Sequence, residues 1–236
     1  MKTDIVSYYR KHDASSRYMA GNEARVRQLS RLYKENKRYF GRRVLDLACG
    51  GGVLGFVLEP HGHRYTGVDV NPDMIAAANK HVREVGSKNR FILDDVLRMS
   101  VSGRFETVCM MGNALCHFST GDFSQILNRV ERRVRPGGNF VVDYRDLVLA
   151  MFNRRWNASK KLVQRGRVSA TKGCDTRAGF VHVATNDLHG RQRVAFAHAI
   201  WSPFIMETIM KAQGWSLRKR SFSKRWYGWL DVYKKT

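Results

Sequence analysis

Arg43-Val-Leu-Asp-Leu-Ala-Cys-Gly-Gly-Gly-Val-Leu-Gly55 is the stretch that decides the fold. Its first half is an apolar run of strand length. Its second half sets Gly50, Gly52 and Gly55 in GxGxxG spacing, ahead of a helix. A strand, a glycine turn and a helix open a nucleotide-binding α/β unit, because glycine lets the backbone approach a ligand with no Cβ in the way. The spacing alone also fits a nicotinamide fold or a plain tight turn.

Working outward, the same rhythm repeats. Residues from Asn22 to Phe40 carry apolar positions at helical spacing among many charges and predict one exposed N-terminal helix. Downstream, Tyr65-Thr-Gly-Val-Asp69 is a second strand. Asn71 is an N-cap and Pro72 the first position of a helix running to Arg83. Arg90–Leu93 and Phe105–Met111 are a third and a fourth strand, and Phe123–Val134 is helical. Pro136-Gly-Gly138 turns into a fifth strand, Asn139–Asp143. Alternating β and α units predict an α/β, Rossmann-like, mostly parallel sheet. After Arg145 the pattern becomes β-rich over Lys161–Ala170, Gly179–Thr185 and Arg191–Trp201, an antiparallel insertion after strand five. Ser202 then caps a helix from Pro203 to Ala212, and the strands Ser216–Ser221 and Trp226–Tyr233 complete a seven-stranded sheet. The division expected is a single domain: arm and helix (1–40), cofactor-binding core (41–150), β-rich insertion or lid (151–201), and C-terminal helix and strands (202–236).

A chain of 236 residues with 43% apolar and 26% charged residues is expected to be one globular domain. It shows no apolar run of membrane-spanning length and no apolar core of a secretory leader. The four cysteines, Cys49, Cys109, Cys116 and Cys174, have no zinc-ligand spacing. A reduced, cytoplasmic, metal-free protein is the expectation. The net charge is +22. Residues 1–152 carry 24 basic and 16 acidic side chains, and residues 153–236 carry 18 and 4. A basic C-terminal third, in which Leu217–Tyr227 interleaves basic and aromatic residues, fits RNA or another polyanion as a partner. A proteome-wide basic bias explains it equally well.

Three acids sharpen the glycine loop. Asp46 stands just before it, where a dinucleotide pyrophosphate would be repelled. Asp69 ends the second strand, where a carboxylate accepts both ribose hydroxyls. Asp95 follows the third strand, within reach of an adenine amino group. These acids suit a cationic or neutral adenosine ligand better than a diphosphate. Val44-Leu-Asp-Leu-Ala-Cys-Gly-Gly-Gly52, Gly67-Val-Asp-Val-Asn-Pro-Asp-Met74, Asp94-Asp95 and Arg135-Pro-Gly-Gly138 together resemble the class I S-adenosylmethionine-dependent methyltransferases, over roughly residues 40–145. The resemblance implies that Ala48, Gly50 and Gly52 line the methionine end of the cofactor and Asp69 the ribose, with Asp46 and Val70 also among the cofactor-binding residues. Asp95 and Val96 would serve the adenine, with Met74 packed near it and Met111 beside the transferable methyl. S-adenosylhomocysteine would be the product.

The acceptor must be read from binding residues, since methyl transfer needs alignment and exclusion of water more than a strong base. No residue is assigned as catalytic. The chain has neither the Pro-Pro-Tyr motif of amino-methylating nucleic-acid enzymes nor a Pro-Cys thiolate motif. Met111-Gly-Asn-Ala-Leu-Cys-His-Phe118, Val141-Val-Asp-Tyr-Arg-Asp146 and Tyr18–Leu29 are similar to the glycine and sarcosine N-methyltransferases. That similarity implies a small carboxylate-bearing amine as substrate, held by Arg145 and Asn113, with Tyr18 closing over it. Asp146 and Ala114 depart from the family's asparagine and serine. His117 reads as a packed histidine, and His182 and His198 as a pair facing across a hairpin. The alternatives are an RNA- or ribosome-directed methyltransferase, a nicotinamide oxidoreductase and a non-catalytic cofactor-binding module. A homo-oligomer is left open.

Overall fold

The computed structural model describes residue 9 and residues 21–152, 162–164, 167–187, 192–224 and 227–236. Helix α1 (Glu23–Asn36) starts on the Asn22 side chain, which accepts from Arg25 N. Strand β1 (Arg43–Leu47) leads into α2 (Val53–Leu58), β2 (Arg64–Asp69), α3 (Pro72–Val85), β3 (Arg90–Leu93) and β4 (Phe105–Met110). Helix α4 (Thr120–Glu131) and β5 (Val134–Arg145) complete the core, and α5 (Leu147–Phe152) leaves it.

The sheet order is β10-β11-β5-β4-β1-β2-β3. Strands β1 to β5 run parallel, while β11 (Gly228–Lys235) lies antiparallel between β5 and β10 (Trp215–Ser223). This is the expected seven-stranded, mostly parallel sheet. Val44, Leu45, Asp46 and Leu47 are all buried, which is why β1 reads as an almost continuous apolar run. Helices α1, α2 and α3 cover one face through Leu29, Tyr33, Leu54, Leu58 and Ile75. Helix α4 and α6 (Pro203–Ala212) cover the other through Phe123, Ile126, Leu127, Met206 and Met210. Among the described residues no helix is long and apolar enough to cross a membrane.

Several boundaries move for identifiable reasons. Helix α3 runs past Arg83 to Val85 because its stop is Gly86, at φ +67°. Helix α4 begins at Thr120, three residues before Phe123, because Ser119 and Asp122 form a reciprocal capping box. The turn at Pro136-Gly-Gly138 lies inside β5 as a bulge: Phe105 pairs with Val134 and Thr107 with Asn139. A Cβ at Gly138 would come within 2.9 Å of the Glu106 carbonyl, so the close passage needs glycine. Helix α5 has no expected counterpart; Asp146 starts it by accepting from Leu149 N while also accepting from Trp229 Nε1.

The β-rich insertion is a second, four-stranded sheet in the order β6-β7-β8-β9. Its strands are β6 (Leu162–Gln164), β7 (Arg167–Asp175), β8 (Phe180–Asp187) and β9 (Gln192–Ala199), all antiparallel. The expected stretch Lys161–Ala170 therefore spans parts of two strands. His182 pairs in register with Ala197, and His198 with Val181. The two histidines lie on opposite faces of the hairpin instead of facing each other, because side chains alternate along a strand.

The far edge of the main sheet is fixed by one buried carboxylate. Asp231 is fully buried and accepts from Arg220 Nε at 2.8 Å, Arg220 Nη2 at 2.9 Å, Tyr144 OH at 2.8 Å and Tyr233 OH at 3.1 Å. Taking away one partner of such a pair leaves an uncompensated charge. Arg220→Met is expected to lower unfolding free energy by about 3 kcal/mol in urea melts, with the tyrosine hydroxyls limiting the loss.

Candidate active site

In an open α/β sheet, ligands bind beyond the carboxyl ends of the strands, where the strand order reverses. Here that point is the β1/β4 junction, and a cavity of about 530 Å³ opens there. Its wall takes residues from the ends of all four neighbouring strands: Ala48 and Gly50 after β1, Asp69 and Asn71 after β2, Asp95 after β3, and Met111 after β4.

The floor is the loop after β1. Ala48 and Gly50 hold φ of 55° and 57°, in the left-handed region. Asp69 fixes this shape: Gly50 N donates to Oδ2 at 2.7 Å and Asn71 N to Oδ1 at 2.8 Å. Each carboxylate oxygen keeps further acceptor capacity, and Asp69 lines the cavity. Burial raises the Asp69 pKa against the lowering effect of these N–H donors. Gly52 does not line the cavity. A Cβ there would sit 2.0 Å from the Phe91 ring, so this glycine serves packing behind the loop.

Asp46 also lines the cavity, and it is 2% exposed. Tyr65 OH donates to its Oδ2 at 2.7 Å, while its Oδ1 is buried with no partner among the described residues. Burial raises its pKa to about 7, moderated by the Tyr65 hydrogen bond. Across the cavity stands Arg25 of α1, whose charge acts on both Asp46 and Asp143. An orphaned acceptor and a guanidinium on the same cavity suit the ammonium and carboxylate of an amino-acid tail.

At the other end, Leu97 N donates to Asp95 Oδ1 at 2.9 Å and shapes a turn that brings Asp95, Val96 and Leu97 to the wall. Met74 and Val96 are buried beneath it, and Val70 is exposed at 43% on the rim. This is an apolar slot edged by acids, the chemistry of an adenosine site. The donor set therefore fits S-adenosylmethionine: Arg25 and Asp46 for the amino-acid tail, Asp69 for the ribose, and Asp95 with Val96 and Met74 for the adenine.

Beyond Met111 the cavity continues past Gly112, Ala114 and His117 to Phe180, His182 and Ala197 of the second sheet. The insertion thus forms part of the wall. Tyr9 OH lies 2.9 Å from His117 Nε2, and the His117 and His198 rings are 6.1 Å apart, edge to face. Burial lowers the pKa of His117 to about 4 and that of His198 to about 3. Both are neutral at physiological pH. Cys116 is pushed up to about 12 by burial and Cys49 is also raised, so neither offers a thiolate.

Asn113 and Arg145 stand behind this end and do not line the cavity as Gly112 and Ala114 do. Asn113 holds φ of 63°, its N donates to Asp143 Oδ1 at 2.7 Å, and its Oδ1 accepts from Arg145 N at 2.8 Å. Its side chain thereby locks the end of β5. Arg145 acts electrostatically on both His198 and Cys116, and its Nε is buried with no partner among the described residues. Tyr18 lies outside the described residues.

Arg25, Tyr9 and Phe180 are among the wall residues that the sequence reading does not mark. Arg25 sits one turn before Leu29, which is 2% exposed, so it shares the buried face of a helix read as exposed. Tyr9 and Phe180 carry no motif at all. Asp69→Ala is expected to weaken S-adenosylmethionine binding at least about tenfold by calorimetry, through loss of a charged hydrogen-bond acceptor. Protonation of Asp46 disfavours a cationic partner, so the dissociation constant should rise up to about 20-fold as pH falls from about 7.5 to 5.5. Asp46→Asn should bind weakly and flatten that dependence.

The chain is similar to several known proteins. Residues 44–138 match a methyltransferase domain family. Glycine N-methyltransferase from Oryctolagus cuniculus is 31% identical over 121 residues, covering 44% of this chain and 41% of the relative. Ubiquinone biosynthesis O-methyltransferase from Dechloromonas aromatica is 33% identical over 100 residues, covering 42% of each. The chain thus spans about two fifths of the length of these curated relatives. Among solved structures, the PH0226 protein from Pyrococcus horikoshii superposes with a TM-score of 0.75 at 23% identity, covering 97% of this chain and 98% of that one. A S-adenosylmethionine-dependent methyltransferase from Clostridium acetobutylicum gives 0.69 at 16% identity, covering 87% and 89%. Residues 44–138 thus match a methyltransferase domain, and the chain shares the fold of these solved structures, with the Asp46, Asp69 and Asp95 cavity at its β1/β4 junction.

Proposed function

We propose that the protein transfers a methyl group from S-adenosylmethionine to the nitrogen of a small amine that bears a carboxylate. The observation that carries this reading is Arg145. A guanidinium with a buried, unpartnered Nε is held at the end of β5 beside His198 and Cys116, next to the cavity end beyond Met111. A buried donor without a partner costs about 1–3 kcal/mol or more when charged, and a substrate carboxylate brought to this end of the cavity offsets that charge. The partial likeness to glycine N-methyltransferase supports the same substrate class.

When bound, S-adenosylmethionine supplies a methyl group on a sulfonium. The chain's own residues then have three tasks. Asp46, Asp69 and Arg25 would hold the donor's polar ends, and Met111 lines the same cavity. Arg145, one layer behind the wall and positioned by Asn113 through the backbone, would draw the acceptor's carboxylate toward its end of the cavity by its charge. His117, which lines the cavity, and His198, whose ring lies against it, are both neutral and place no second positive charge beside the acceptor. They are too weakly basic to deprotonate an ammonium, so the amine must arrive neutral.

Transfer of labelled methyl, run in parallel on glycine, sarcosine and bulk RNA, tests the reading; label on RNA alone would overturn it. Arg145→Ala should raise KM for the amino acid at least about tenfold while donor affinity stays unchanged, since one charge-assisted pair is lost. The rate should climb from neutral into alkaline pH with the acceptor's own amine. With S-adenosylmethionine saturating, so that protonation of Asp46 does not limit the rate, the two histidines should add no inflection between pH 6 and 7, because His117 and His198 titrate near 4 and 3.

A further inference from the structure

The amino-terminal edge of the main sheet is chemically the opposite of the cavity end. Arg43 of β1 lies level with Arg64 of β2 in the parallel ladder, an arrangement of like charges that destabilises a sheet. With Arg42 and Arg135 they line a concavity of about 400 Å³, to which Glu106 contributes the one carboxylate. That carboxylate is already engaged, accepting from Arg43 N at 2.7 Å and pairing with Arg135 at 3.2 Å. The exposed side chains of Arg42 and Arg64 have no hydrogen-bond or ion-pair partner among the described residues. Arg90 opens β3 and Arg104 immediately precedes β4, both exposed. All five parallel strands therefore begin at or beside an arginine.

We propose that this arginine edge docks the phosphodiester backbone of an RNA strand, at a site separate from the methyl-transfer cavity. The planar guanidinium fork matches phosphate oxygens two at a time and also stacks on bases, which lysine cannot do. Neighbouring strands are spaced by about 4.8 Å, so the concavity presents its arginines as a row along which successive phosphates can lie. A lipid surface would call for apolar side chains beside the charges. The exposed large hydrophobics among the described residues, including Val70, Leu93, Phe152 and Phe204, do not line this concavity. The edge is about 17 Å from the cavity, one strand length at about 3.3 Å per residue, so an RNA held here leaves the donor site alone. This inference does not rest on the identity of the methyl acceptor.

The test is anisotropy of a labelled oligouridylate of about 20 nucleotides, titrated with the full chain over a range of salt. The triple variant Arg42→Gln, Arg64→Gln, Arg135→Gln is compared with a C-terminal control, Arg218→Gln, Lys224→Gln, Lys234→Gln. Three lost phosphate contacts should make the log–log salt slope shallower by about 2 and weaken binding about 100-fold near 0.1 M salt. The C-terminal control should bind nearly as the parent does, and all three proteins should bind S-adenosylmethionine equally, which reports intact folding. Unchanged affinity in the edge variant overturns the proposal. So does loss confined to the C-terminal control, or competition between the oligonucleotide and S-adenosylmethionine. Anionic phosphatidylserine vesicles and inorganic phosphate are parallel probes. If the edge variant loses vesicle binding but not oligonucleotide binding, or if millimolar phosphate displaces the oligonucleotide, an RNA-docking role is excluded.

Discussion

The cavity depends on what one carboxylate does for the backbone around it. Asp69 ends β2 and accepts from Gly50 N on one side and Asn71 N on the other. It thereby joins the left-handed loop after β1 to the first turn of α3, across neighbouring strands of the sheet. The Asn71 side chain continues the chain of constraint by accepting from Asp73 N and Met74 N. Met74 is thus held in place by the same network that shapes the glycine loop. Without that tie, Ala48 and Gly50 would have little reason to keep positive φ, a conformation that is costly for alanine. Binding geometry and fold geometry are here one set of hydrogen bonds.

That dual role explains why the fold was so legible in the sequence. Each element from Arg43 to Leu93 carries its own local signal: a continuous apolar run, a glycine spacing, an Asn-Pro helix start. The structure bends these signals only where a cap or a bulge intervenes, as at Ser119 and Gly138. The cofactor side of the cavity was legible for the same reason, because its residues sit at strand ends fixed by the sheet. Gly52 shows the limit of motif reading. Its position in the spacing is right, yet its lack of a side chain makes room for Phe91 and not for a ligand.

The acceptor side was less legible because non-local contacts assemble it. Arg25 reaches the cavity from a helix whose sequence is mostly charged, and only its phase relative to Leu29 and Tyr33 marks the buried face. Phe180, His182 and Ala197 arrive from a separate antiparallel sheet. Their alternation identifies strands but not which face meets the core. The likeness to the N-methyltransferases makes Asn113 and Arg145 substrate contacts, whereas the structure places them one layer behind, with Asn113 bonded to the Arg145 backbone. Spacing carries local structure well. It carries little about which side chain stands in front of another.

The two ends of the sheet also handle charge by opposite physical means. At the carboxyl end, Asp46 and Asp143 are withdrawn from water and their pKa values rise, so negative charge is stored in a form that a cationic ligand draws out. At the amino end, arginines stay exposed, where hydration and counterions screen their mutual repulsion. A buried guanidinium could not shed its proton in the way that a carboxylic acid keeps one, because its ordinary pKa lies far above physiological pH. Burial is therefore a usable means of tuning for the acids and not for the arginines. The sheet's polarity follows: the end that closes over a small cavity carries the tunable groups, and the open end carries the fixed ones. Arg25 and Arg145 are the exceptions at the closed end: the charge of Arg25 acts on Asp46 and Asp143, whereas Arg145, with a buried Nε that has no partner among the described residues, suits an anion brought to it.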